Sequence, residues 1–598
     1  MSDQRRPVLV FDGDCGFCRL WIERWRRETG GKVDYEPFQS AAARHPEVPR
    51  EAFREAIHFF EADRTSRGAE AALRALAYAP RLSWLPRLYA APGVAPVSEA
   101  VYRFVAARRT SFARLTRLLW GSTTVPAPVG FTARLVLAGI GLCYLLAFAS
   151  LGVQVRGLIG SDGIMPAAAM LDAARSQLGA VRYWLLPSVA WLSASDAALS
   201  AYCWLGALAS LGLVFGVAAG PCALLCWALY LSLCAIGSDF MNFQWDALLL
   251  EAGLIACLLA PWSWRRDRAA APSRGAVWLL RLLLLKLMLQ SGLVKLFSGD
   301  PSWRDLTALT YHYWTQPLPT PLASWFHGAP PWFQKLSCLT MFAVELAAPV
   351  LILFPRRARA AGALAVATLM VLIAATGNYG IFNLLTIVLC LSCLDDRFFR
   401  RAHLAPADIA APKARTWTLA ALGALSVTLG LFETLPVFGF GMPAPVRTLA
   451  AAVAPLRSFN GYGLFAVMTR SRDEISIEVS ADGSEWLEWP FPYKPGDARR
   501  APPWVAPHMP RLDWQCWFAA LGTPSDSPWF GNFIVRLLEG SPSVARLMGP
   551  SPLAGGRPLY ARAVRYATAF ASPESRARGI WWTRERKGLY FPVVSLKR

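Results

Sequence analysis

Apolar and polar residues follow three different rhythms along the chain. In residues 1–125 they change over short periods. Pro7–Phe11 (PVLVF) reads as a buried strand, followed by the turn DGDCGFC. A helix then runs over Gly16–Arg27, with Phe17, Leu20, Trp21 and Trp25 on one face. Lys32–Phe38 and Ile57–Phe60 read as further strands, Ala69–Tyr78 as a helix, and Ala100–Arg117 as a closing basic amphipathic helix. This order predicts a small α/β, thioredoxin-like domain.

Between 126 and 435 the apolar residues run on in about nine segments, near 133–153, 198–219, 222–237, 245–262, 276–297, 332–354, 358–376, 380–394 and 415–434. Such runs predict a polytopic all-α transmembrane domain, although two fall short of the roughly 20 residues of a straight span. From 436 to 598 alternation returns. Glu474–Val479 alternates, Asp482-Gly483 is a hairpin turn signal, and Trp486–Phe491 reads as the returning strand. Arg511–Leu521 and Phe530–Leu538 read as helices, and Tyr560–Phe570 and Gly588–Leu596 as strands. A β-rich, sandwich-like C-terminal domain follows from that pattern.

Composition agrees with a membrane protein: 55% hydrophobic and 17% charged residues, against roughly 25% charged in soluble domains. The net charge of +21 is spread evenly, with +6 in residues 1–131, +8 in 436–598 and the rest between. This is no phosphate-binding stripe, so no nucleic-acid partner is expected. Arg108, Arg109, Arg114 and Arg117 precede the first apolar run; Arg265, Arg266 and Arg268 follow the fourth. Arg356, Arg357 and Arg359 follow the sixth, and Arg397, Arg400 and Arg401 the eighth. With nine spans all four clusters share one side, which the positive-inside rule makes cytoplasmic. The N-terminus is then cytoplasmic and the C-terminal domain outside. No apolar leader precedes the first strand, and heavy Ala, Arg and Pro usage points to a GC-rich bacterial genome, so the membrane expected is a bacterial inner membrane.

Most of the twelve cysteines stand in apolar segments, and only Cys15 and Cys18 have redox spacing in a soluble segment. A CxxC at a helix start lets amide dipoles stabilise the first thiolate while the second thiol resolves a mixed disulfide. A zinc site would need further ligands that no second CxxC supplies, so no metal is expected. Cys390 and Cys393 (CLSC) read as small buried hydrophobes, and His312 in TYHYW as packing among aromatics. Asp246, Glu251, Arg281, Lys286, Lys295 and Glu345 fall within apolar runs, where charges pair or line a cavity. The expectation is an internal pair of Lys286 with Glu345 or Glu251.

VLVFDGDCGFCRLWI, with VYRFVAARR (Val101–Arg109), resembles the DCC family of thiol-disulfide oxidoreductases over about the first 120 residues. The resemblance implies Cys15 as nucleophile and Cys18 as resolving thiol, with Asp12 and Asp14 at the acidic positions that tune them. RSFNGYGLFAVMTRSRDEISIEVSADGSEW, APHMPRLDWQCWFAALG and WFGNFIVRLLEGSPSVARLM resemble the lipase maturation factor family. So do LIGSDGIMP, FMNFQWDALLLE and SGLVKLF in the preceding spans, and the resemblance runs from about 130 to the end. The membrane part also resembles, more weakly, the transmembrane domain of vitamin K-dependent carboxylases.

Those resemblances imply a membrane maturation factor for exported, lipase-like client proteins that carries a thiol-redox module. Animal members of the maturation family reside in the endoplasmic reticulum membrane, with the C-terminal domain in the lumen. The alternative is a membrane-linked thiol oxidoreductase or a carboxylase-like enzyme. No cofactor is demanded by a motif; a quinone, or a thiol reductant supplied by a cytoplasmic redox partner, would serve the dithiol. His508, Arg511, Asp513 and Trp514 of PHMPRLDW are candidates for client binding, set against an Arg–Asp pair and a Trp that serve the fold. The absence of a nucleophile elbow argues against a lipase.

Overall fold

The computed structural model describes residues 6–264, 272–400, 413–553 and 556–596. The chain divides into two compact units, residues 1–128 with 353–360, and residues 129–352 with 361–598.

In the first unit β1 (Val8–Phe11) leads through the CxxC into α1 (Gly16–Glu28), and β2 (Asp34–Pro37) pairs parallel with β1. β3 (His58–Glu61) and β4 (Arg64–Arg67) form a hairpin, with β3 antiparallel to β1, giving the order β2-β1-β3-β4. A strand–helix–parallel strand followed by a hairpin and α2 (Gly68–Leu76) is the thioredoxin-like arrangement expected. Leu9, Phe11, Ile22, Val33, Tyr35 and Phe59 form the core beneath α1. The closing basic helix is broken in two, α3 (Val94–Ala107) and α4 (Arg109–Trp120). Arg108 leaves helical geometry at the joint (φ −121°, ψ 31°) and lays its guanidinium over the Phe104 ring, 4.2 Å from its centre.

The second unit opens with α5 (Gly130–Gly152), α6 (Asp196–Phe215) and α7 (Ala219–Ile236), then α8 (Gln244–Leu259) and α9 (Arg274–Phe297). After α10 (Ala308–Thr315), α11 (Pro331–Phe342) continues through a π-helical turn, Ala343–Ala347, and a 3-10 turn to Leu353. α12 (Arg356–Thr376), α13 (Phe382–Leu391) and α14 (Lys413–Thr434) complete the apolar helices. Among the described residues seven helices are long and apolar enough to cross a membrane. The other two of the nine expected segments are α8, 16 residues, and α13, 10 residues. α6 leaves Trp204, Leu205 and Leu208 exposed; in a bilayer such side chains meet lipid. The basic cluster Arg265, Arg266 and Arg268 and the residue Arg401 lie outside the described residues.

The strand-rich part of this unit holds β5 (Asp473–Ser480), β6 (Leu487–Trp489), α15 (Arg511–Ala520), α16 (Trp529–Glu539), β7 (Tyr560–Phe570) and β8 (Trp582–Val594). The strands form one antiparallel sheet in the order β6-β5-β7-β8. Gly483, at φ +86°, makes the turn between β5 and β6, a conformation that glycine adopts without strain. The β-rich expectation holds, but not as a sandwich. α15 packs on β5 and α16 on β7, so helices supply the second layer, with Phe530 of α16 against Tyr590 and Phe591 of β8.

Candidate functional site

Cys15 is the N-cap of α1, and its sulfur accepts the Cys18 backbone N–H at 3.4 Å. Hydrogen bonds from the Cys18 thiol and from the Cys18 and Phe17 amides, with the Arg109 charge, bring the Cys15 pKa down to about 6. The hydrogen bond to Cys15 and burial push the Cys18 thiol well up. Cys15 is therefore a thiolate at neutral pH and Cys18 a protonated partner, the division of labour that thiol-disulfide exchange requires. No disulfide joins them.

The Asp12–Asp14 turn is organised by Gln39, which sequence reading missed. Gln39 donates to Asp12 Oδ1 (3.2 Å) and Asp14 Oδ2 (3.0 Å) and accepts the Gly13 N–H at 3.1 Å. Asp12 also faces Arg109 at 3.8 Å. The negative charge of Asp12 acts on Cys18, raising its pKa; Asp14 holds the turn. Arg109 lies nearly 100 residues from the cysteines in sequence, and only the fold shows that it serves them.

In the second unit the charges expected within the apolar runs take part in three ion pairs. Lys286 on α9 donates to Glu251 on α8 at 2.6 Å, and Tyr462 O–H donates to the other oxygen of Glu251 at 2.8 Å. Of the two partners expected for Lys286, the structure selects Glu251. Glu345, in the π-helical turn, is held instead by Lys295 through both oxygens, at 2.7 and 2.8 Å. Asp246, at the start of α8, receives both terminal nitrogens of Arg511 on α15, at 2.8 and 2.9 Å, and the Tyr230 hydroxyl. Arg281 donates from Nε to the Ser392 carbonyl at 2.8 Å.

PHMPRLDW is thus a docking segment within the chain. Arg511 and Asp513 do not pair. Asp513 accepts the Tyr493 and Lys494 amides at 3.0 and 2.9 Å, and its burial raises its pKa to about 6. His508 Nδ1 meets Ser150 Oγ of α5 at 3.0 Å. Trp514 packs edge-on against Trp245 at 4.8 Å and against Phe243 at 5.8 Å. Arg511, Asp513 and Trp514 are buried, so in this state none of the three offers a surface to a client. A second buried cluster, Arg472–Glu474–Lys494 (2.6 and 2.7 Å), ties the start of β5 to the last turn of α10 and the loop after it, through Arg472 and the Trp314 and Pro317 carbonyls. Sequence reading missed it, because alternating strand residues give no sign that three charges converge.

His312 and Tyr379 form the wall of a cavity of about 380 Å³ beside the Lys295–Glu345 pair. Gln316 Nε2 donates to the Tyr313 and Thr376 carbonyls, so its Oε1 accepts the Tyr379 O–H at 2.7 Å. The Tyr379 oxygen is then an acceptor for His312 Nε2, 3.1 Å away, which places the imidazole proton on Nε2. Among the described residues no three His, Cys, Asp or Glu side chains converge as a metal site.

A thioredoxin-like dithiol module joined in sequence to apolar helices, with a strand-rich domain locked into those helices, defines a polytopic membrane protein with a thiol-redox arm. Residues 131–401 match the lipase maturation factor transmembrane domain, 458–592 the lipase maturation factor C-terminal domain, and 9–115 the DCC1-like thiol-disulfide oxidoreductases. Lipase maturation factor 2 of Homo sapiens is 36% identical over 593 residues, covering 77% of this chain and 82% of the human protein. Its counterpart in Gallus gallus is 35% identical, covering 77% and 81%. Lipase maturation factor 1 of Bos taurus is 33% identical, covering 78% and 89%. The chain belongs to the lipase maturation factor family and carries an N-terminal DCC1-like domain. No solved structure matches it.

Proposed function

We propose that this protein assists the maturation of an exported, lipase-like client at the outer face of a bacterial inner membrane, with its dithiol domain in the cytoplasm. The observation that carries the reading is the bidentate Arg511–Asp246 pair, which fixes the strand-rich domain on the membrane helices as one body. Such a body supports a scaffold that holds a client beside the bilayer. The family names of the relatives supply the client class. The orientation is supported by basic residues before the first span (Arg108, Arg109, Arg114, Arg117) and after the sixth (Arg356, Arg357, Arg359). α8 and α13 then count as crossings, which gives nine.

Cys15 and Cys18 are proposed as catalytic nucleophile and resolving thiol, and Asp12 and Asp14 as residues that shape their turn. With the dithiol inside, a cytoplasmic thiol reductant is its natural partner, and direct exchange with an exported client is excluded. Two measurements test the reading. Membrane-impermeant maleimide should label Cys15 only after lysis; labelling in intact cells would overturn the orientation. Cross-linking at the strand-rich domain should capture newly exported, unfolded lipase and not the folded enzyme; equal capture of both would reject the scaffold.

A further inference from the structure

The cavity beside Lys295 lies in the size range of small-molecule sites, roughly 300–1,000 Å³. Its walls are mostly apolar, with Leu287, Met341 and Phe382 inside, and Leu336 and Leu372 at its rim. Those two leucines are each 53% exposed, on α11 and α12, helices long and apolar enough to span a membrane. The mouth therefore faces lipid. A molecule that enters there comes from the bilayer and brings an apolar chain.

The inner end is polar and unfinished. An ammonium has three N–H donors; Glu345 takes two from Lys295, the Trp303 ring stands 5.7 Å from Nζ, and among the described residues no hydrogen-bond acceptor takes the third. Asn383 lines the same cavity, is only 5% exposed, and its Oδ1 has no hydrogen-bond partner. An orphaned buried acceptor costs about 1–3 kcal/mol, and native proteins leave few of them. Glu345 itself sits in a π-helical turn, a distortion frequent at functional sites. One donor and one acceptor are thus left open in the lining of an apolar slot.

Charge selects the head group. Lys295 and Glu345 cancel, and His312 is kept neutral by burial, its pKa drawn down to about 4. An anionic head would meet Glu345 with no uncompensated cation and would forfeit its hydration. Hydroxyls supply both missing partners, an acceptor for Lys295 and a donor for Asn383, without adding charge.

We propose that this cavity binds a neutral single-chain amphiphile with a hydroxyl-bearing head group, of the monoacylglycerol type, taken from the membrane. The site is independent of the dithiol and of the client-scaffold reading, and binding requires no chemical step.

Full-length protein in nanodiscs, titrated with radiolabelled monooleoylglycerol, tests it. Saturable binding at one site per chain is expected, with the phosphate ester of the same monoacylglycerol at least tenfold weaker. Asn383→Leu should weaken binding about tenfold, the worth of one buried hydrogen bond. Ser337→Trp, which fills the slot from α11, should abolish it at an unchanged melting temperature, and serves if Asn383→Leu fails to fold. Absence of saturable binding, equal affinity for the phosphate ester, or wild-type affinity in the Ser337→Trp protein would each overturn the proposal.

Discussion

Arg511 and Asp246 stand 265 residues apart in the chain and meet through two parallel hydrogen bonds of 2.8 and 2.9 Å, both side chains almost completely buried. They come from two stretches of characteristic sequence, PHMPRLDW and FMNFQWDALLLE, which the fold shows to be halves of one joint. Tyr230 donates to Asp246, and the Phe240 carbonyl accepts from Arg511 at 2.6 Å. Planar guanidinium and carboxylate match as a fork, which a lysine at 511 would not reproduce.

Breaking that pair leaves a charge stranded in the interior, which costs about 3–5 kcal/mol. Arg511→Ala and Asp246→Ala should each lower the detergent melting temperature strongly, and the double variant should lose less than the two losses added. A thermal-shift double-mutant cycle checks this. Additive losses would mean that the two side chains do not depend on each other.

Lys286 and Glu251 make the same argument within the helices. Lys286→Ala leaves Glu251 buried beside the Tyr462 hydroxyl and should destabilise by a similar amount, about 3–5 kcal/mol. Tyr462→Phe removes one hydrogen bond to a charged group and should cost about 1.5–3 kcal/mol. Chemical denaturation in detergent would show both. An unchanged stability for Lys286→Ala would contradict the structural role of the pair.

The dithiol makes a prediction in pH. The Cys15 pKa is lowered from 9.0 to about 6, so its alkylation rate in the reduced protein should rise with a midpoint near pH 6. Cys18 should stay unreactive, and Arg109→Ala should move the midpoint upward. A depressed native pKa contributes stability that is complete above pH 9 and is lost as pH falls toward 6. The reduced N-terminal unit should therefore weaken on acidification over that window, and Cys15→Ser should remove the slope. A rate midpoint near 9 would refute the helix-cap account.

Asp513 acts with the opposite sign. Its native pKa is raised from 3.8 to about 6 by burial, so its contribution is fully present below pH 3.8 and is lost as pH rises to 6. Between pH 4 and pH 7 wild type should lose on the order of 2 kcal/mol relative to Asp513→Asn. Paired melting curves at the two pH values measure it, and parallel curves would exclude the effect.

Much of this was legible in the sequence, for physical reasons. Strand alternation in Glu474–Val479 and the Asp482-Gly483 turn are local signals, and β5 and its hairpin lie where they point. Cys15 and Cys18 at a helix start are likewise local. Long-range partners were not legible. That Arg511 would choose Asp246 over its neighbour Asp513, or that Lys295 rather than Lys286 would hold Glu345, depends on which helix faces lie together. Residue spacing along one helix carries no such information. The same holds for Gln39 and Arg109, which reach the dithiol only through the fold.

The proposed maturation of an exported lipase rests on the strand-rich domain and the helices to which Arg511 locks it, with the Cys15 dithiol acting elsewhere. The direct measurement is the specific activity, per mass of secreted lipase, in cells that lack this protein and are complemented with variants. Full restoration is expected from the wild type and from Cys15→Ser/Cys18→Ser, and none from Arg511→Ala. Failure of the Cys15→Ser/Cys18→Ser protein to restore activity, or full activity without any complementation, would contradict it.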